Sequence, residues 1–237
     1  MRQLIRETWF RRELDRIRRE VQDREDTMPS RESLVAASRA WGNPAWSANL
    51  HYLVEMCQQA SKAQGPILEC GSGLTTFLLG VVVARRGLEV WSLEHDRAWH
   101  ARVHTWLRRA RVDNVHLRHA PLRAYDGFDW YERPSGHVPH DFALVICDGP
   151  PSETAGGRYG LLPVMASWMA PDCVILLDDA ERDSEMELLR RWQEGWHVSF
   201  ERYGLDHPPA HAVVRLATSS GSPRPDGESE AHTRAGT

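Results

Sequence analysis

The sequence predicts an α/β fold: an open, mostly parallel sheet with helices on both faces, preceded by N-terminal helices. Three observations carry this. From residue 65 onward, short apolar runs that read as strands alternate with helical stretches at short, regular intervals. The first run ends in a glycine turn, ECGSG at 69–73, which opens directly into a helical stretch. The last two runs, WHVSFERYG and AHAVVRLA, have no helix between them, so they pair antiparallel at one edge.

Taken in order, residues 1–26 are highly charged but carry Phe10, Leu14, Ile17 and Val21 at 4-3-4 spacing, one apolar stripe on a helix. Such a stripe lies either on its own domain or on a twin subunit, which makes a homodimer through this helix the expected self-association. Pro29 interrupts it, and Ser30 caps a second helix running to about Arg39. WGNP at 41–44 reads as a turn. A third helix is expected over roughly 45–60, with Leu50, Leu53, Val54 and Cys57 on one side. PILEC is then a buried strand, 75–86 a helix ended by Gly87, LEVWSLEHD a strand, 97–109 a helix and VHLRHA a third strand. FALVIC is a continuous apolar strand, 161–169 helical, PDCVILLDDA a fifth strand and 182–194 an amphipathic helix. With the closing pair this makes seven strands. Residues 1–60 are expected to cover the substrate crevice and 61–217 to form the main domain. Residues 218–237, without a large apolar side chain, are expected to be a disordered tail.

Composition removes several classes. Of 237 residues, 41% are hydrophobic, enough for a sizeable core, yet no apolar run is long enough to span a bilayer. A net charge of -4 argues against a nucleic acid backbone as the main partner. Cys57, Cys70, Cys147 and Cys173 form no CxxC pair, which disfavours zinc and disulfide scaffolds. The N-terminus is too charged for a signal peptide, so a cytoplasmic location is expected.

Chemistry concentrates at strand ends. Gly71 and Gly73 let the backbone turn tightly and bring N–H groups close to a ligand. Glu69 would repel a pyrophosphate but suit an ammonium group. The dinucleotide pattern needs a third glycine where Thr76 stands, and no phosphate-loop GK[ST] is present. Glu94 closes the next strand about 20 residues on, where a carboxylate can accept hydrogen bonds from both hydroxyls of a ribose. Asp148, Asp178 and Asp179 end two later strands. Three converging carboxylates repel one another, and a divalent cation such as Mg²⁺ is the usual remedy. Alternatively, Asp148 orients the donor or acts as a base, while Asp179 caps the helix beginning near Glu181. The loop 125–140 is long and rich in aromatics and histidine, and reads as a lid or pocket wall. Within it His137 and His140 are general-base candidates by type, or else exposed loop histidines. Arg158 and Tyr159, after the flexible SETAGG, are substrate contacts or surface residues.

Residues 65–217 resemble the class I S-adenosylmethionine-dependent methyltransferases. The resemblance rests on the ExGxG turn at 69–73, the acidic strand end SLEHD, DGPP at 148–151, LLDDA at 176–180 and the two-strand finish. It implies a Rossmann-like seven-stranded sheet with an antiparallel C-terminal strand. It also implies that Glu69, Gly71 and Gly73 line the methionine end of S-adenosylmethionine and that Glu94 binds the ribose. Ala120 and Pro121 would lie near the adenine, with His95 and Trp99 as candidates to flank the ring. The pattern is most similar to small-molecule O-methyltransferases that use a metal, here through Asp148, Asp178 and Asp179, to lower the pKa of the acceptor hydroxyl. The catechol-type branch has Asp-Asn where this chain has Asp178-Asp179. DGPP also resembles the D/N-P-P-Y of amino-directed nucleic acid methyltransferases, but Gly149 intervenes and Ser152 stands where an aromatic is needed. The expected function is therefore methyl transfer to a small-molecule hydroxyl. The rivals are a nucleotide-dependent oxidoreductase and a non-catalytic cofactor- or protein-binding module.

Overall fold

A computed structural model describes residues 2–22, 28–43, 48–206 and 208–216, with side chains from residue 6. The chain runs α1 (Arg2–Gln22), α2 (Arg31–Trp41), α3 (Leu50–Lys62), β1 (Ile67–Cys70), α4 (Leu74–Val83), β2 (Val90–Glu94), α5 (Arg97–Ala110), β3 (Val115–His119), β4 (Leu122–Tyr125), β5 (Phe128–Tyr131), β6 (Phe142–Cys147), α6 (Leu161–Met165), β7 (Met169–Asp178), α7 (Asp183–Trp196), β8 (Val198–Tyr203) and β9 (His211–Leu216).

Seven strands form one sheet in the order β3-β2-β1-β6-β7-β9-β8, and β4 and β5 form a separate hairpin. Pairing is parallel from β3 through β7 and antiparallel where β9 meets β7 and β8. The order reverses direction between β1 and β6, the place where open α/β sheets leave a ligand crevice beyond the strand ends. Cys70 and Cys147 are partners in register there, so the crevice opens between the residues that follow them.

Each sheet face carries its own apolar layer. One packs α3, α4 and α5 against Ile67, Val90, Leu144 and Ile146, with α1 laid over α4 and α2 against α1 and α3. Phe10, Leu14, Ile17 and Val21 are all buried in this layer. The α1 stripe thus lies on its own domain, the first of the two expected placements. The other layer holds the hairpin, α6 and α7 against Leu68, Val145 and Ile175.

Local differences from the sequence expectation have physical causes. Helix α3 starts at Leu50, not near 45, because the Asn49 side chain accepts from the N–H groups of His51 and Tyr52 at 2.8 and 3.1 Å and so ends the helix there. Residues 44–47 lie outside the described residues, as do 23–27 and the tail from 217. The stretch 125–140 is not one loop: its first residues complete a hairpin whose two-residue turn is Asp126-Gly127, with Gly127 at φ +80° and the Tyr125 and Phe128 rings stacked 5.3 Å apart. The helical stretch expected over 161–169 is an α-helix to Met165 and a 3₁₀ turn over Ala166–Trp168, and Met169 already belongs to β7. Among the described residues, no helix is long and apolar enough to cross a membrane.

Candidate active site at the strand ends

At the end of β1 the backbone of Gly71 takes φ +92°, and a Cβ there would meet the Gly149 nitrogen at 3.0 Å. Gly149 is equally confined, since a Cβ on it would run into the Tyr131 hydroxyl and sit 3.1 Å from the Gly71 Cα. The two glycines let the turns after β1 and β6 touch, and the Gly149 N–H donates to the Cys70 carbonyl at 2.7 Å. Gly73 is extended, with open space where its side chain would be. Its N–H donates to Thr76 Oγ1 at 2.9 Å, and the Thr76 hydroxyl donates to Glu69 Oε2 at 2.7 Å. The residue standing in place of a third glycine therefore locks the turn to the strand.

Glu69 is fully buried. Ser92, its register partner on β2, donates to the same Oε2 at 2.5 Å, and Oε1 has no partner. Burial pushes this carboxyl up to about 7. Glu94 is treated differently. Its Oε2 accepts from the Ser72 N–H and hydroxyl at 3.2 and 2.7 Å, its Oε1 accepts from the Asp96 N–H at 2.8 Å, and His95 Nδ1 lies 3.2 Å from Oε1. Burial pushes this carboxyl up, but the donors outweigh it and hold the group below the ordinary carboxylate range. Ala120 is buried and donates from its N–H to the Glu94 carbonyl at 2.8 Å, and Pro121 follows it. Trp99 stands behind Ser72 of the glycine turn. Its indole N–H donates to the Ser72 carbonyl at 2.9 Å, and its ring packs edge-on against Trp41 and Trp106. These rings line a cavity of about 890 Å³ between α1, α2 and α5, on the helix side of the turn.

Across the crevice, one carboxylate oxygen from each of Asp148, Asp178 and Asp179 lies within 4.8 Å of the other two. Asp179 sits in the left-handed region, φ +58°, an unusual place for a residue other than glycine. Arg158 stands among these acids with a side chain only 3% exposed. Its Nη2 lies 2.8 Å from Asp179 Oδ2 and 3.4 Å from Asp148 Oδ1, and donates to the Asp148 carbonyl at 2.6 Å. Its Nη1 donates to the Asp178 carbonyl at 2.6 Å and lies 3.9 Å from Glu185 Oε1. Arg182 takes the remaining oxygen of Asp179 at 3.0 Å. Burial pushes the carboxyls of Asp148 and Asp178 up, and the Arg158 charge opposes this in both.

Three sequence expectations move. Arg158 is not placed as a substrate contact, because its guanidinium is spent on the strand ends. Tyr159 is half-buried, with its ring against Phe128, Trp196 and the Arg191 guanidinium, and its carbonyl accepts from the Trp192 indole. His137 and His140 are not near Asp148. They share a cavity of about 740 Å³ with Pro66, Leu88 and Glu89, which precede β1 and β2, at the amino ends of the strands. The six residues of β6, about 20 Å of strand, separate that end from the crevice.

Tyr131 was missed. Its hydroxyl is buried without a partner beside Gly149, and the charges of Glu94 and Asp148 both bear on it. Ser92, polar within the apolar VWSLE, was the readable sign that something on β1 needed a donor.

Residues 68–180 match the family model described as a methyltransferase domain. Among solved structures, an O-methyltransferase from Bacillus cereus in complex with S-adenosylhomocysteine is 18% identical at a TM-score of 0.51, over 78% of this chain and 90% of that one. A methyltransferase from Podospora anserina with S-adenosylhomocysteine bound is 14% identical at a TM-score of 0.55, over 76% of this chain and 83% of that one. At such identities the two structures speak for the fold. No curated protein matches the sequence. The family match and the fold agree: residues 68–180 match a methyltransferase domain, and the sheet that holds them has the fold of those two methyltransferases.

Proposed function

We propose that the chain transfers the methyl group of S-adenosylmethionine to a hydroxyl oxygen of a small-molecule acceptor in the crevice between β1 and β6. The observation that carries this reading is the pair of differently satisfied acids on either side of the glycine turn. Glu69 keeps a buried oxygen free for a donor such as the methionine ammonium, and Glu94 offers a charged acceptor suited to the ribose hydroxyls. Gly71 and Gly73 would hold the methionine end, and Ala120 and Pro121 the adenine. Tyr131 would meet the cofactor between these points.

Transfer from a sulfonium needs an in-line nucleophile and a proton acceptor. Asp148, with its side chain about a third exposed at the crevice and its pKa raised by burial, suits the second task. The acceptor oxygen would bond to the methyl carbon as the S–C bond breaks, and its proton would pass to Asp148. A divalent cation held by Asp148, Asp178 and Asp179 fits these residues poorly, since two guanidinium groups already occupy the cluster, and no step is routed through one. Residues 1–60 would close over the crevice of the 61–217 domain and help select the acceptor. The net negative charge favours a small acceptor over nucleic acid, and four buried free thiols suit the reducing cytoplasm.

Calorimetric titration with S-adenosylhomocysteine, with NADH as control, tests the reading. Saturable one-site binding of the first and none of the second is expected; the reverse would sink it. Once an acceptor is found, Asp148→Asn should lower kcat by about 10²–10⁴-fold with S-adenosylhomocysteine affinity retained.

A further inference from the structure

We propose that Arg158 is the resident cation of this site: its guanidinium stands where the three aspartates would otherwise require a divalent metal, and the chain has no metal-binding site there. The geometry argues this in three ways. First, four of the six carboxylate oxygens already have partners. Both oxygens of Asp179 are ion-paired, one to Arg158 and one to Arg182, Asp148 Oδ1 faces Arg158, and Asp178 Oδ1 accepts the Asp179 N–H at 3.0 Å. Second, an ion held by all three carboxylates would lie within a few ångströms of a guanidinium that cannot give up its charge. A lysine could release its proton to admit a metal, but arginine has no such route. Third, Arg158 is delivered to this place by the chain around it. Gly156 and Gly157 take φ +74° and +53°, and a Cβ on Gly156 or Gly160 would collide with Phe128 or Trp130 of the hairpin. The segment is wedged against β5 so that its one arginine turns inward.

The arrangement does what an ion would do for the protein and something an ion would not. Its planar fork binds the main-chain carbonyls of Asp148 and Asp178 as well as the carboxylates, so it fixes the ends of β6 and β7 relative to each other. Holding Asp148 by Oδ1 leaves Oδ2 as the oxygen that can accept a proton. Arg158 is thus a positioning residue acting through Asp148.

The test is Mn²⁺ titration of the full chain followed by electron paramagnetic resonance, with no cofactor or acceptor present, so its outcome does not depend on the methyl-transfer reading. Up to about 1 mM, wild type should show no saturable site that Asp178→Asn removes. Arg158→Ser, which vacates the cluster, should gain one, and the double variant with Asp178→Asn should lose it again. Saturable Mn²⁺ binding to wild type that Asp178→Asn abolishes would overturn the proposal, whether or not Arg158→Ser folds. A folded Arg158→Ser that gains no Mn²⁺ site would overturn it as well.

Discussion

On the β1–β2 side of the crevice the acids are Glu69 and Glu94, and what faces them is mostly hydroxyl and amide: Thr76, Ser92, Ser72 and the Asp96 N–H, with the His95 imidazole 3.2 Å from Glu94 Oε1. On the β6–β7 side the acids are Asp148, Asp178 and Asp179; guanidinium groups face Asp148 and Asp179, and Asp178 Oδ1 accepts the Asp179 N–H. Both arrangements make buried carboxylates tolerable, but they differ in what a ligand can change. A neutral donor can be exchanged for a ligand's donor at small cost, whereas removing one member of a buried ion pair strands the rest. The first side is therefore built to exchange partners and the second to stay fixed.

The comparison breaks hardest at Arg158. Replacing it with alanine leaves Asp178 and Glu185 buried without their counter-charge and should cost about 3–5 kcal/mol in urea unfolding, a large fraction of a domain's stability. Next comes pH. Because the folded carboxyl of Glu69 lies near 7 against an ordinary 4.5, the folded state holds its proton longer than the unfolded chain. Its share of stability is complete below about 4.5 and is lost as pH rises through 7, about 3 kcal/mol in all. Glu69→Gln should flatten that part of the stability–pH curve; an unchanged curve would contradict the assignment. Glu94→Gln, which keeps shape but loses the charge, should weaken S-adenosylhomocysteine binding by about 10–100-fold in calorimetry. The smallest effect is expected at the far end of the sheet, where His137→Ala and His140→Ala should leave turnover unchanged and shift stability by about 0.5 kcal/mol or less.

Much of the fold was legible because parallel strands buried on both faces write themselves as unbroken apolar runs such as FALVIC, and glycine turns punctuate them. The acidic residues read as strand-end groups do stand at the carboxyl ends of β1, β2, β6 and β7 or next to them. The hairpin was hidden because its strands are short and partly polar, although Asp126-Gly127 was a readable turn signal. Arg158 carried no local sign, since its partners lie 10, 21 and 27 residues away in the chain. The histidines teach a rule that was available beforehand. A chain passing between parallel strands must return to the amino end of the sheet, so His137 and His140, five and two residues before Phe142, had to lie away from the crevice.

The position of β9 bears on how the molecule is made. It is the last strand of the sheet in chain order, yet it lies between β7 and β8 and pairs with both. During synthesis, β8 emerges with no neighbour to join, and the edge of β7 from Val174 to Asp178 waits unpaired until residues 211–216 leave the ribosome. A nascent chain stalled short of them presents an apolar, open strand edge to other chains, the kind of surface that seeds aggregation and draws chaperones. During synthesis, sealing the sheet therefore waits for β9, a delay set by the strand order.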